Sequence, residues 1–442
     1  MSSNLYTVNS DITTMEQAVG LSRMNGGQIE LKQNSSGMIA KSFANYCEIL
    51  EKDPYLSGKF RMNIFNKRVT LKDVYWHPEE HTLCDNDISN LRRFIDCAYG
   101  VSPGKDIKDA VALIAEKTGF HPIRDALNNL EWDGKPRLSE FLPRYLGAKR
   151  SVLTTEITKL LFHGAIQRVM NPGIKFDYCI TLLDNKQGTG KSSLCRFLAL
   201  EDEYFCDDLD HFGDTKTAYE KIRGRWICEL GEMVAIRRTQ DVNVIKGYLS
   251  RQYDSYRQPH GTFSEKYPRQ AIFIGTSNLF RCLPNDRTGN RRFVPVICDG
   301  SRAEVHPLAD EYETREYIRQ CYAEAIVIGK TDGYLLDLDR EYQDELDVIR
   351  SGLMPDNSNA GMIQDFLNTC EEDLVCTRMI WERLFKDSED ALPDGKELSR
   401  IADVMNMSIQ GWTRYSGANG TAKDSKYRFK DYGKQRAWQR CA

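Results

Sequence analysis

The run Asn185-Lys186-Gln187-Gly188-Thr189-Gly190-Lys191-Ser192 has the residue types that a nucleotide's phosphate tail requires. Such a tail needs backbone N–H groups wrapped around it, a helix N-terminus aimed at it and a cation on its β- and γ-oxygens. Gly188 and Gly190 let the backbone approach closely, Lys191 supplies the cation, and the Ser192 hydroxyl suits Mg²⁺. With Asn185, Gln187, Thr189 and Ser193 they make a candidate ATP-binding set. The pattern G-x-x-x-x-G-K-[ST] is met except at its first position, where Asn185 stands for glycine. Asparagine tolerates a left-handed backbone better than most other side chains, so the departure is mild.

Hydrolysis asks for more than binding: a carboxylate for the metal, a group that orients water, and a cation for charge developing on the γ-phosphate. Three later segments offer these in order. Glu229 ends the apolar run Arg225–Leu230, and Glu232 follows it. Glu229 is assigned to Mg²⁺ and Glu232 to the attacking water, although the two roles are exchangeable. Asn278 follows the run Ala271–Gly275 and can hold the water or sense the γ-phosphate. Arg291 and Arg292, after the turn at Asp286–Asn290, suit an arginine finger that reaches a neighbouring subunit's nucleotide. That role would make the enzyme an oligomer.

Two stretches combine cations with aromatic rings, the pairing that tracks a single nucleic-acid strand. From 246 to 269 there are five basic and two acidic residues between tyrosines, and Lys246, Arg251, Arg257 and Lys266 are the candidate DNA contacts. From 411 to 442 there are eight Lys/Arg against two Asp, a local charge of +6, interleaved with Trp412, Tyr415, Tyr427, Phe429, Tyr432 and Trp438. Lys426, Arg428 and Lys430 are the candidates there. The structural alternative for both stretches is a solvated basic hairpin over a small aromatic core.

These groups need a scaffold. Phe176–Leu183, Arg225–Leu230, Ala271–Gly275 and Arg292–Cys298 read as short buried strands, with a helix from Lys191 to about Leu200. Strands alternating with helices predict a parallel α/β sheet. Helices fit Ile107–Lys117 and Thr154–Met170, the second stopped by Asn171-Pro172-Gly173. Past Leu338 the chain turns helical again, with Glu372–Lys386 and Lys396–Met407 as helices and Ser416–Gly420 as a hairpin turn. Helices followed by a basic hairpin suggest a winged-helix DNA-binding domain. The first forty residues are polar and read as a loose leader or a displaced strand.

Taken together, Lys186–Ser192, Glu229–Glu232, the stretch with Lys246, Asp254 and Arg257, Gly275–Asn278 and Thr288–Phe293 resemble the virulence-associated E family. His121-Pro-Ile-Arg-Asp125 and Trp132-Asp-Gly-Lys-Pro-Arg137 match its pattern too, so the resemblance runs from about Asn45 to Val296. The family is carried by prophages and mobile islands and is similar to superfamily 3 helicases of the AAA+ class. The resemblance therefore implies an α/β fold with an AAA+-like P-loop core and parallel sheet, acting as an ATP- and Mg²⁺-dependent DNA helicase in phage or mobile-element replication. It also implies a homo-oligomeric ring that acts on single-stranded or forked DNA, possible replication proteins as further partners, and a bacterial cytoplasm. Lys246 and Arg257 fall in that superfamily's DNA-contacting segment. Ser277 stands where a threonine is common. The expected division is a mainly helical N-terminal domain at 1–146, a P-loop ATPase core at 147–335 and a C-terminal winged-helix-like domain at 336–442.

Composition narrows the alternatives. Sixty Lys/Arg against 64 Asp/Glu leave a formal charge of −4, which argues against a generally basic coat protein or a polybasic membrane binder. The apolar share of 41% excludes wholesale disorder. No stretch approaches the ~18 apolar residues of a spanning helix, and MSSNLYTVNSD has no signal-peptide segment, so a soluble, unexported protein with no membrane partner is expected. Thirteen cysteines without C-x-x-C spacing read as reduced thiols. His77-Pro-Glu-Glu-His81 has the outline of a zinc motif, but Pro78 interrupts the helix it would need. His163 reads as a core-edge residue. The D-x-D pairs Asp208/Asp210 and Asp337/Asp339 do not make a primase site. Two other functions stay in view: an ATP-regulated DNA-binding initiation or regulatory factor with little unwinding, and a small-molecule kinase, which has no evident acceptor site.

Overall fold

The computed structural model describes residues 12–25, 29–209, 215–233, 236, 242–257, 263–280, 282–284, 290–354, 358–386, 388, 391–407, 409–417 and 425–441. Its centre is a sheet of five parallel strands: β1 (Cys179–Leu183), β2 (Phe205–Cys206), β3 (Ile227–Leu230), β4 (Ile272–Ser277) and β5 (Phe293–Ile297). Their spatial order is β5-β1-β4-β3-β2. Every residue of β1, β3 and β4 is buried, as expected of inner parallel strands covered on both faces.

Period-two alternation sorts the side chains. Ile180, Leu182, Ile227, Ile272, Ile274, Val294 and Val296 point to one face, against helices Val152–Met170, Lys191–Leu198 and Glu311–Asp332. Cys179, Leu183, Cys228, Leu230 and Phe273 point to the other, where Ile245, Tyr248 and Leu249 of helix Val242–Leu249 and Leu353 of helix Arg340–Leu353 cover them. The register pairs Leu183 with both Ser277 and Ile297, and Leu230 with Gly275. The segments leaving β1, β3, β4 and β5 therefore emerge at one end of the sheet, where open α/β folds hold ligands.

The central unit is larger than the expected 147–335. Helices Pro122–Asn128 and Leu138–Leu146 lie N-terminal to that boundary yet share the central core, with the Phe141 and Phe162 rings 5.1 Å apart. Helix Arg340–Leu353 lies beyond the other boundary and also packs on the sheet: Arg350 Nε donates to the Phe293 carbonyl at 2.7 Å. The 22-residue helix Glu311–Asp332 has no counterpart among the expected elements. Its polar first half hid it.

Before this unit, helices Met15–Asn25, Phe43–Lys52, Asp85–Tyr99 and Ile107–Glu116 enclose a separate core with the antiparallel strands Phe60–Asn63, Arg68–Leu71 and His81–Thr82. The described part of the region is mainly helical, with three short strands added. Within the supposed leader, Met15–Asn25 is a helix seated through Ala18 and Val19; residues 1–11 lie outside the described residues.

After it, helices Ser358–Thr369, Thr377–Leu384 and Gly395–Met407 pack on strands Leu374–Cys376, Trp412–Arg414, Lys426–Phe429 and Gly433–Arg440. The expected helix Glu372–Lys386 is thus a short strand followed by a shorter helix. Phe429 pairs with Gly433, so the described hairpin turns at Lys430–Tyr432; the expected turn at Ser416–Gly420 falls mostly on residues 418–424, which lie outside the described residues. Among the described residues no helix is long and apolar enough to cross a membrane. All thirteen cysteines are free thiols, nine of them buried.

Candidate functional site

The loop after β1 leads into helix Lys191–Leu198. Gly188 and Gly190 carry its left-handed turns, at φ 72° and 83°. Asn185 does not take the left-handed conformation that its place in the motif suggested. A second reason for glycine at 190 is space: a Cβ there would lie 2.5 Å from Pro307 Cδ. The loop is braced from below by buried Asp184, which accepts the Lys186 N–H at 3.0 Å and the Gly300 N–H at 2.9 Å. From the side, His306 Nε2 meets the Gly188 carbonyl at 3.0 Å.

Lys191 is buried at the mouth of this loop, and its Nζ donates to Thr189 Oγ1 at 3.1 Å and Asn278 Oδ1 at 2.9 Å. Asn278 follows β4, and its Nδ2 donates to Glu232 Oε1 at 2.6 Å. One amide therefore bridges the lysine and a carboxylate. Glu232 and Met233 are held at φ 50° and 51°, a strained conformation for side-chain-bearing residues.

Alternation explains the companion cluster. Glu229 on β3 and Thr276 on β4 share the sheet face of Ile227 and Ile274, the face that helix Lys191–Leu198 covers. Glu229 Oε1 accepts from Ser192 Oγ at 2.6 Å and from Thr276 Oγ1 at 2.5 Å. Burial holds its carboxyl above the usual carboxylate range, against the opposing pull of those two hydroxyls. Ser192 and Glu229 form an oxygen-only donor pair beside a lysine, which fits a hard divalent cation and its phosphate ligand.

The structure thus brings Lys191, Ser192, Glu229, Glu232 and Asn278 together, with Asn185, Gln187, Thr189 and Ser193 on the loop and first turn. Arg291 and Arg292 are elsewhere. They precede β5 and so sit at the opposite end of the sheet, five residues at about 3.3 Å each, roughly 16 Å away. Arg292 Nε donates to Ser250 Oγ at 2.8 Å and lies 3.5 Å from Asp177, whereas Arg291 is exposed. The turn residues 285–289 before them lie outside the described residues.

Of the expected DNA contacts, Lys246 lies on helix Val242–Leu249 and Arg251 reaches Asp254 at 3.7 Å. Arg257 and Lys266 lie on the antiparallel strands Tyr253–Arg257 and Ser264–Pro268; the Arg257 side chain is outside the described residues. Asp254, part of the same motif, is buried in a bidentate pair with Arg269 at 2.8 and 2.6 Å. On the C-terminal hairpin, Lys426 faces Arg436 and Arg428 faces Lys434, so four exposed cations crowd one face; Lys430 is exposed at the turn. Like charges directly opposite destabilise a hairpin unless an anion lies over them.

Sequence reasoning missed Thr276, Asp184 and His306. Thr276 was visible as the polar residue two before Asn278, and Asp184 as the first residue after β1; nothing in the sequence points to His306. The two zinc-motif histidines stack at 3.8 Å, and His81 Nε2 meets Asp87 at 2.9 Å. Among the described residues no group of three or more His, Cys, Asp or Glu could hold a metal ion. His163 is fully buried, with both ring nitrogens bonded to backbone, at Ala325 O and Leu335 N.

The family profile described as virulence-associated protein E-like domain matches residues 127–353, close to the extent of the central unit. No curated protein matches the chain. Among solved structures, an A-form apo structure of the NrS-1 C-terminal region is 14% identical over 81% of this chain and 85% of that one, with a TM-score of 0.39. A second apo structure of that region is 12% identical over 87% and 96%, with a TM-score of 0.42.

Proposed function

The chain belongs to the virulence-associated protein E-like family, and on that premise we propose that it is an Mg-ATP-driven DNA-unwinding motor serving phage or mobile-element replication. The observation that carries the reading is the convergence on one sheet end of a buried lysine, a hydroxyl–carboxylate pair and an asparagine–glutamate pair. The strand order β5-β1-β4-β3-β2, with the glycine-rich loop after β1, supports an AAA+-like P-loop core. The three helices, short strand and basic hairpin of the C-terminal unit support a winged-helix-like DNA-binding role.

In this reading the loop N–H groups and Lys191 hold the ATP phosphates, and Ser192 and Glu229 hold the Mg²⁺. When bound, that cation neutralises charge on the β- and γ-phosphates. Glu232 orients and deprotonates the attacking water, and Asn278 releases Lys191 to the phosphate while keeping Glu232 in place. Arg291, too far from its own chain's loop, serves the nucleotide of a neighbouring subunit, so hydrolysis needs a ring. Steady-state ATP turnover with and without single-stranded DNA, and strand displacement on a forked duplex, test this, with Lys191→Ala as the control. ATPase activity that DNA does not stimulate, with no strand displaced, would remove the motor reading and leave an ATP-regulated DNA-binding factor.

A further inference from the structure

At the other end of the sheet, where β3 and β4 begin, a cavity of about 350 Å³ opens between the N-terminal and central units. The turn Ile64–Lys67 makes one wall, the segment Arg223–Arg225 a second, and Lys266 with Tyr267 a third. His121 and Arg124, whose motif has no part in the hydrolysis site, close it.

Its charges are unusual in how they are held. Arg269 is matched by Asp254, but Arg124, Arg223 and Arg225 have backbone carbonyls as partners and no ion pair among the described residues. Arg124 Nε donates to Val169 O at 2.6 Å. Arg223 donates to Asn66 O at 2.9 Å and Lys67 O at 3.1 Å, and Arg225 donates to Glu203 O. A carbonyl fixes the orientation of a guanidinium without cancelling its charge. Exposed Lys67 and Lys266 add two more cations at the rim, against one exposed carboxylate, Glu265, which accepts from the Tyr267 hydroxyl at 2.8 Å. The Tyr219 and Tyr267 rings, 5.9 Å apart, also line the cavity. Across the Arg223–Arg225 segment, the neighbouring cleft mixes Glu203, Asp207, Asp208 and Glu220 with Arg68 and Lys221, so its charges are matched.

We propose that this cavity holds the sugar–phosphate backbone of single-stranded DNA, a contact separate from both the nucleotide loop and the C-terminal hairpin. The preference for a phosphate ester rests on the cavity alone; the choice of DNA as its source rests on the motor reading. The test titrates the intact chain, without ATP, into a labelled homothymidine oligonucleotide across a salt series. The paired charge reversal Lys67→Glu/Lys266→Glu alters only exposed side chains, and its thermal midpoint checks folding. The expected result is about ten-fold weaker binding, with a log–log salt slope shallower by roughly 1.4, or ~0.7 for each lost contact. Unlabelled thymidine monophosphate and inorganic phosphate serve as competitors. If either displaces the oligonucleotide as well, phosphate for phosphate, as unlabelled oligonucleotide does, the site belongs to a free anion and the DNA assignment falls. Unchanged affinity and slope in the folded double variant overturn the cavity altogether. DNA-stimulated ATP turnover by the wild type would still stand in that case, so the two readings fail separately.

Discussion

The two ends of one sheet hold charge in opposite ways. Where the strands finish, cation and carboxylate are joined through side chains: Lys191 to Asn278, Asn278 to Glu232, and Glu229 to Ser192 and Thr276. Where they start, Arg124, Arg223 and Arg225 are aimed by backbone carbonyls and keep their full charge. The first arrangement joins its lysine to carboxylates through neutral side chains and, on the proposed reading, would exchange those internal partners for the phosphates of Mg-ATP, whose cation offsets part of their charge. The second leaves an excess that a polyanion would neutralise. On the readings proposed above, the same α/β scaffold would separate a place for turnover from a place for grip.

That contrast breaks most visibly through the arginine at the wrong end. Arg291→Ala and Lys191→Ala are each expected to lower ATP turnover by about a thousand-fold, because one removes the cation of the chain's own site and the other that of its neighbour. Mixing the two variants should restore part of the activity, since some interfaces then pair an intact loop with an intact finger. Turnover that stays at the level of the separate variants would mean that Arg291 serves no neighbouring site.

A stability change comes next. Asp254→Asn leaves the buried Arg269 guanidinium with the Tyr248 carbonyl and ring and no full counter-charge. The expected cost is roughly 3 kcal/mol in chemical denaturation. A cost near zero would show that this end of the sheet is wet enough to screen an unpaired cation, and would weaken the contrast. At the finishing end, Asn278→Ala removes one hydrogen bond to a lysine and one to a carboxylate. It should lower kcat by about thirty-fold, roughly 2 kcal/mol, with KM for ATP little changed.

These residues also show what the sequence could and could not reveal. The loop and its lysine were legible because the left-handed turns at Gly188 and Gly190 fall at nearby positions, and glycine spacing records them directly. Glu229 and Asn278 were legible as polar residues ending apolar runs, and alternation then puts Glu229 and Thr276 on one face. Asp254 was legible only as a mark of the family; it is buried because Arg269, fifteen residues on, folds back beside it. The Trp132–Arg137 motif was legible as a family mark but not as a structural clamp. Its Asp133 pairs with Arg137 and its backbone is held by Gln320 and Glu324 of a helix almost two hundred residues later. His306 and the carbonyl-held arginines depend wholly on such long-range contacts, which no local pattern encodes. Helix Glu311–Asp332 escaped for a related reason, since its apolar face forms only against three separate partners.

The smallest effect tests the rule behind the contrast, that a carbonyl orients a cation but does not neutralise it. Lys59, in the N-terminal unit, is the buried form of the same arrangement: its Nζ donates to the Asp73 carbonyl and lies 4.2 Å above the Tyr55 ring. Burial lowers its pKa from an ordinary 10.5 to about 8, and the nearby Asp73 and Asp53 charges only partly offset this. Between those two values the unfolded chain binds more protons than the folded one, so folding pays a penalty that is complete below about pH 8 and fades as pH rises towards 10.5. Lys59→Met removes the charge and also a donor to Asp73, so the net gain at neutral pH is expected to be roughly 1 kcal/mol. The gain should shrink and then reverse as pH approaches 10.5, where the wild-type amine is neutral and keeps its hydrogen bond. Denaturation of the pair at neutral and high pH measures it. A difference that does not change with pH would mean that the carbonyl and the ring stabilise the buried ammonium fully, and the arginines at the sheet's starting end would then need no anion over them.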